Sequence, residues 1–217
     1  MRVLSTNISQ PRSIELQGKQ FDTGIFKTPH SNALSLHSHG IKDDAVCDLK
    51  NHGGQHKAVY GFSFEHYDYW RKTLGKPTLS AGAFGENLTM SSLDEADICI
   101  GDQLHIGSAI LEVSQPRVPC FKLGVALGDP RAPALFTRHQ HTGVYFRVIA
   151  PGEVCNGDEA EIVHRHSAAV SVRNLFRACF DRSFKEAPAI LSAAARVPQL
   201  APEWQEKVRA ALARNLG

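Results

Sequence analysis

Residues 98–123 read ICIGDQLHIGSAILEVSQPRVPCFKL. Ile98–Leu104 and Ala109–Ser114 are two apolar-rich runs joined across Ile106-Gly107-Ser108, a paired-strand signal. In the second run Leu111 and Val113 alternate with Glu112 and Ser114, the two-residue period of a strand with one face in a core. The next ten residues differ in kind. Ser114–Leu123 sets Cys120 among Pro116, Pro119, Arg117 and Lys122. Proline fixes φ and removes a backbone donor, so the two prolines end the strand and stiffen the loop. Nearby positive charge favours thiolate over thiol, and the thiolate is both nucleophile and soft-metal ligand. The competing reading is a buried structural cysteine in a proline-kinked connection.

Outward from this stretch, residues 1–165 offer short strands between glycine-rich turns: Val3–Ile8, Thr23–Lys27 stopped by Thr28-Pro29, Ala58–Phe62, Gly143–Ala150 and Glu159–His164. Gly40–Lys50 is polar and reads as loop or strand edge. Ser63–Leu74 reads as a short helix with Ser63 at its N-cap and Phe64, Tyr67 and Trp70 on one face. Regular short strands without alternating helices indicate a barrel or sandwich, and a barrel is preferred because closure removes edges. Beyond His166 the pattern turns helical, with Ser171–Phe180, Ala187–Val197 and Pro202–Leu216 as three short helices. From His166 on there are eight Lys/Arg and four Asp/Glu, leaving 16 and 18 for the rest of the 24 and 22. The expectation is a mainly β protein: a barrel over 1–165 and a three-helix module over 166–217, docked on the barrel or on a second subunit.

A net charge of +2 and the lack of an interleaved basic and aromatic stripe argue against a nucleic-acid polymer as partner. Five cysteines, at 47, 99, 120, 155 and 179, show no paired spacing, which fits reduced thiols in the cytoplasm. The first 18 residues hold no apolar signal core, and no stretch approaches ~20 apolar residues, so neither secretion nor a membrane span is expected. No dinucleotide-binding GxGxxG follows a strand.

Five motifs taken together resemble a known family. HGGQHKAVY (52–60), FGENL (84–88), Gly101-Asp102, SQPRVPCFKL (114–123) and TGVYFRVIAPGEV (142–154) resemble the MOSC domain, the molybdenum-cofactor sulfurase C-terminal type of β-barrel, over about Gly18–Val163. The helical tail resembles that of the YiiM-like subgroup, whose bacterial members confer resistance to 6-N-hydroxylaminopurine. The resemblance implies a molybdopterin-bound molybdenum centre with Cys120 as its protein ligand. It implies reduction of N-hydroxylated bases and related compounds, with electrons from a separate flavoprotein. The alternative within the family is a cofactor carrier or sulfur-handling module without reductase activity.

The residues agree on physical grounds. Thiolate is a soft ligand suited to a dithiolene-bound metal. The anionic phosphate of a pterin cofactor needs fixed cations and N–H donors. Lys57, Arg117, Lys122 and Arg147 are candidate cations, Arg147 the weakest because strand side chains alternate faces. Gly53-Gly54 lets a backbone approach an anion without Cβ interference. His52 and His56 could donate to the cofactor or relay protons, with His52 the first choice of proton donor. Asn87 can read pterin edges as donor and acceptor at once. The plainer readings are an HGG turn and Glu86-Asn87 closing a β-turn; a zinc site among His30, His37 and His39 is an open alternative for which no cysteine or carboxylate completes a recognised spacing. A cysteine hydrolase lacks a local cysteine–histidine motif. A homodimer is one way the pocket could be closed.

Overall fold

The computed structural model describes residues 1–48 and 53–215. The strands are β1 Arg2–Ile8, β2 Arg12–Leu16, β3 Lys19–Thr23, β4 Thr28–Pro29, β5 Leu34–His37, β6 Gly40–Ile41, β7 Val59–Ser63, β8 Leu88–Ser91, β9 Gln103–Ile106, β10 Ala109–Pro116, β11 Val144–Ala150, β12 Gly152–Val154 and β13 Ala160–His164. The α-helices among the described residues are α1 Tyr67–Leu74, α2 Phe121–Leu127, α3 Ala132–His139, α4 Val172–Phe180, α5 Ala187–Ala194 and α6 Pro202–Asn215.

Eight strands form one sheet in the order β13-β9-β10-β11-β7-β8-β1-β4. All its pairings are antiparallel except β7 with β8, which run parallel with Gly61 opposite Leu88. A parallel pair needs a long crossover, and residues 64–87 with α1 supply it. The sheet curls until its ends approach. Arg2 bridges Glu159, Val3 N–H donates to Asp158 O at 2.9 Å, and Ala160 N–H donates to Met1 O at 2.9 Å. The expected closed barrel is therefore present only as this curl. No strand ladder joins β1 to β13 among the described residues, because a turn with Gly157 at φ 93° occupies the stretch where the ladder would run.

The β10 alternation has a further cause. Glu112 and Ser114 are buried although they face away from Leu111 and Val113. The C-terminal helices cover that face: Ala201 N–H donates to Ser114 O at 3.1 Å, and Arg147 carries Glu112 on one arm and the Gln199 carbonyl on another. Trp204, Phe176 and Leu191 share one apolar cluster with Leu111, Val113 and Phe146. Ser171 caps α4, its side chain accepting from Asn174 N–H. The three tail helices thus pack on the sheet.

Two expectations are corrected. Thr23–Lys27 is not a strand. The hairpin lies earlier, with β2 and β3 joined across Gln17 (φ 52°) and Gly18 (φ 73°), and Gly24 follows it in close contact. A Cβ there would stand 2.0 Å from the Ala45 carbonyl oxygen. The absence of helices between strands also fails, since α2 and α3 follow Cys120. Both are short and hold Gly124 and Pro133, which lower helix propensity. Packing overrides it: Leu123, Leu127, Ala132 and Phe136 bury against Phe62, Trp70 and Phe84.

Glu86 and Glu95 are both deeply buried, and their surroundings set them apart. Glu86 is held by neutral donors: the Tyr67 and Thr89 hydroxyls and the Gly82 and Phe84 amides. Burial therefore dominates and pushes its pKa up. Glu95 faces His66 at 3.2 Å and His141 at 3.0 Å. Burial pushes its pKa up too, but hydrogen bonds and charge from His141 and His66 outweigh it and bring the carboxyl down to about 2. A depressed carboxyl contributes stability above the ordinary 4.5, lost as pH falls toward 2. Glu95→Gln is therefore expected to lower stability by about 3 kcal/mol at neutral pH and to flatten the acid limb between those values, as read by urea unfolding across pH.

Candidate functional site

A cleft opens between the 23–27 segment, the 44–48 segment and the central strands. It is lined by Lys27, Asp44, Cys47, Lys57, Arg117 and Lys122, with Tyr60, Asn87 and Tyr145 as its floor. Four cations thus meet two carboxylates, Asp44 and Asp48.

Arg117 is 5% exposed, an uncommon burial for a cation. Pro116 ends β10 immediately before it. The guanidinium donates to the Phe84 carbonyl and lies 4.7 Å over the Tyr60 ring. Its backbone N–H donates to Gly143 O at 3.4 Å. Burial opposes its charge, but Tyr60, Tyr145 and Cys120 raise its pKa above the usual arginine value. Cys120 is half-buried and occupies the N-cap position of α2, where its side chain caps no amide. It is not among the residues lining the cleft. It stands close enough to Arg117 and Tyr145, which do line it, to raise both their pKa values. Lys122, in the first turn of α2, reaches Asp48 at 3.3 Å.

The other expected site residues divide. Lys57 lines the cleft and also grips Glu203 of α6 at 2.6 Å. Asn87 lines it with its amide already engaged: Oδ1 accepts from Tyr60 N–H, and Nδ2 donates to Asp44 at 2.9 Å and to Asn7 O. It holds the cleft wall and floor together. Glu86 does close the turn from Gly82, as the plainer reading has it. His56 is not on the cleft lining; its ring meets Arg147 at 2.9 Å, and burial and that charge lower its pKa. Arg147 serves the sheet-to-tail junction. Gly54, at φ 88°, starts the turn that carries His56 and Lys57, and Gly53 precedes it; neither is on the cleft lining. His52 lies outside the described residues.

Sequence reasoning missed Lys27, Asp44, Cys47, Tyr60 and Tyr145. Lys27 Nζ pairs with both oxygens of Asp44, at 2.6 and 2.5 Å, with side chains 8% and 5% exposed. Burial lowers the Lys27 pKa despite Asp44. Burial also pushes the Cys47 thiol up. The one local signal was three carboxylates and a cysteine within the polar run 40–50, just before the HGG motif.

The residues fit a cofactor with an anionic tail and a soft metal: fixed cations, Arg117 and Lys122 among them buried, surround the cleft, and the Cys120 thiol lies near enough to the buried arginine to act on its charge. Among the described residues, no helix is long and apolar enough to cross a membrane.

The MOSC domain pattern matches residues 48–161. Protein YflK of Bacillus subtilis is 41% identical over 171 residues, covering 79% of this chain and 77% of that protein. A protein named reductase from Gibberella moniliformis is 34% identical over 163 residues, 74% of this chain and 29% of that longer protein. The crystal structure of YiiM from Geobacillus stearothermophilus superposes with a TM-score of 0.81 at 29% identity, covering 97% of this chain and 98% of YiiM. The chain belongs to the MOSC domain family and within it is a YiiM-like protein.

Proposed function

We propose that this chain is a molybdenum-cofactor-dependent reductase of N-hydroxylated bases and related compounds such as 6-N-hydroxylaminopurine, with Cys120 as the protein ligand of the metal. The observation that carries this reading is the buried Arg117 beside Cys120, at a cleft where cations outnumber carboxylates. The reductase name of the Gibberella relative is consistent with oxidoreductase chemistry.

When bound, the cofactor would supply the two electrons that, with two protons, turn a hydroxylamine into an amine and water. The chain's own part is to hold and orient. Cys120 offers its sulfur. Lys27, Lys57, Arg117 and Lys122 offer positive charge to the phosphate end. Tyr60 and Tyr145 keep their protons, since burial raises both pKa values, and so add no phenolate charge that would repel an anion. His52 remains the proposed proton donor, and a separate flavoprotein the proposed electron source.

The test is to purify the full chain, assay molybdenum and pterin, and measure turnover of 6-N-hydroxylaminopurine to the 6-amino base with a reduced flavoprotein. Turnover that scales with molybdenum content is the expected result. Cofactor-loaded protein that turns over no N-hydroxylated compound would instead be a carrier; protein that binds no pterin would overturn both readings. Lys122→Met is expected to weaken pterin retention ~10–100-fold, the loss of one hydrogen bond to a charged group worth ~1.5–3 kcal/mol.

A further inference from the structure

We propose that His66, Glu95 and His141 form a zinc-binding site, separate from the cleft and independent of the molybdenum reading. The three residues come from distant parts of the chain: His66 from the 3-10 turn before α1, Glu95 from the loop after β8, His141 from the loop between α3 and β11. The parallel β7–β8 crossover and the β7–β11 pairing bring them together.

The geometry is that of a closed ligand set. His66 Nε2 lies 3.2 Å and His141 Nδ1 3.0 Å from the same carboxylate oxygen, Glu95 Oε2. All three donor atoms lie within 4.8 Å of one another. Zinc bonds of about 2.0–2.2 Å to nitrogen and oxygen in a tetrahedron imply ligand–ligand edges of about 3.4 Å, so the ligands need little movement. Two imidazoles and one carboxylate are a zinc donor set that leaves a fourth place for water.

Three further features fit. Glu95 Oε1 is anchored by the Gly143 amide at 3.0 Å, the kind of outer hydrogen bond that orients a ligating carboxylate. The two histidine side chains are 17% and 15% exposed, which leaves an entry path to the 1% exposed carboxylate. His139 stands beside both, its ring 5.4 Å from His66 and 5.1 Å from His141, and its Nε2 is buried without a hydrogen-bond partner. Buried polar atoms are seldom left so. A zinc-bound water is the donor that nitrogen lacks.

The ion would tie α1, the 92–97 loop and the 139–143 segment together. That segment also supports the cleft: Tyr60 donates to Thr142 O at 2.7 Å, and Arg117 N–H to Gly143 O. The plainer account is a buried carboxylate satisfied by two imidazoles and an amide; it leaves His139 Nε2 unexplained.

The experiment uses the full chain, stripped with EDTA, then titrated with Zn2+ and separately with Co2+. One ion per chain is expected, with Tm raised by ~5–10 °C at a hundredfold excess over Kd. Cobalt should give the visible ligand-field bands of a four-coordinate nitrogen and oxygen site, without thiolate charge-transfer absorption. Glu95→Gln and His141→Gln should each weaken binding at least 10-fold, while Cys120→Ala and Cys47→Ala leave it unchanged. No bound zinc, unaltered affinity in both ligand variants, or a cobalt spectrum with thiolate absorption would overturn the proposal. Because the cobalt spectrum is read on the unaltered chain, a variant that fails to fold does not shield it.

Discussion

Replacing Cys120 by alanine is expected to cut turnover of N-hydroxylated substrates by more than about 100-fold, to remove molybdenum from the purified protein and to leave the fold in place. The size comes from position: even hydrogen-bond partners of a metal ligand typically cost 10–100-fold when removed, and a ligand should cost more. The fold should survive for a separate reason. The Cys120 side chain caps no amide of α2, and the helix is held instead by Leu123 and Leu127 in the aromatic cluster with Phe62, Phe84 and Phe136. The backbone turn in which Leu123 N–H donates to Cys120 O needs no side chain. Cys47 is the control. It lines the same cleft, but its thiol is pushed up by burial and nearby carboxylates, with Lys122 and Lys27 only partly offsetting them. Cys47→Ala should therefore keep molybdenum. Metal content by mass spectrometry and turnover with a reduced flavoprotein check both variants. Full activity in reconstituted Cys120→Ala, or loss of metal only in Cys47→Ala, would move the ligand role away from Cys120.

How far apart two interacting residues lie along the chain decides whether their meeting can be read from its order. The β9–β10 turn, β7, α4 and α6 rest on local signals, namely alternation, turn glycines and helical spacing, and all were legible. So was the Arg117–Cys120–Lys122 grouping, because its members are sequence neighbours. Lys57 and Asn87 were expected as well and line the cleft, but its walls at 23–27 and 44–48 were not legible. Lys27 and Asp44 meet only because the β2–β3 hairpin lays Gly24 against Ala45, a contact no periodicity encodes. Arg147 looked like a candidate cation, but its cross-strand neighbour Glu112 on β10 and the Gln199 carbonyl of the tail already engage it. His66, Glu95 and His141 were equally hidden: each sits in an ordinary turn or loop, and only the parallel crossover together with the β7–β11 pairing unites them. The exposed histidines near one another in sequence bond to serines instead, His37 to Ser35 and His39 to Ser38.

Asp44→Asn is expected to lower Tm by ~6–20 °C, the consequence of ~3–5 kcal/mol for leaving one member of a buried ion pair uncompensated. Asp44 does more than pair with Lys27. Its carboxylate also accepts from Ser9 N–H at 2.9 Å and from Asn87 Nδ2 at 2.9 Å, so it pins β1 and the strand-leading FGENL turn to the cleft wall. An asparagine amide keeps one acceptor but turns a donor toward Lys27 or Asn87, where another donor already points. The sign of the coupling distinguishes charge from packing. Lys27→Met combined with Asp44→Asn removes the stranded cation, so the double variant should be more stable than Asp44→Asn alone. Burial has already lowered the Lys27 pKa, so in Asp44→Asn this ammonium should lose its proton more easily, and the stability deficit should shrink as pH rises through that lowered value. Thermal unfolding of the three variants across pH measures all of this. Additive losses, with no recovery in the double variant or at high pH, would mean that Asp44 acts through its hydrogen bonds to Ser9 and Asn87 rather than through Lys27. Lys27 would then be a cleft cation whose charge is balanced by something other than the aspartate beside it.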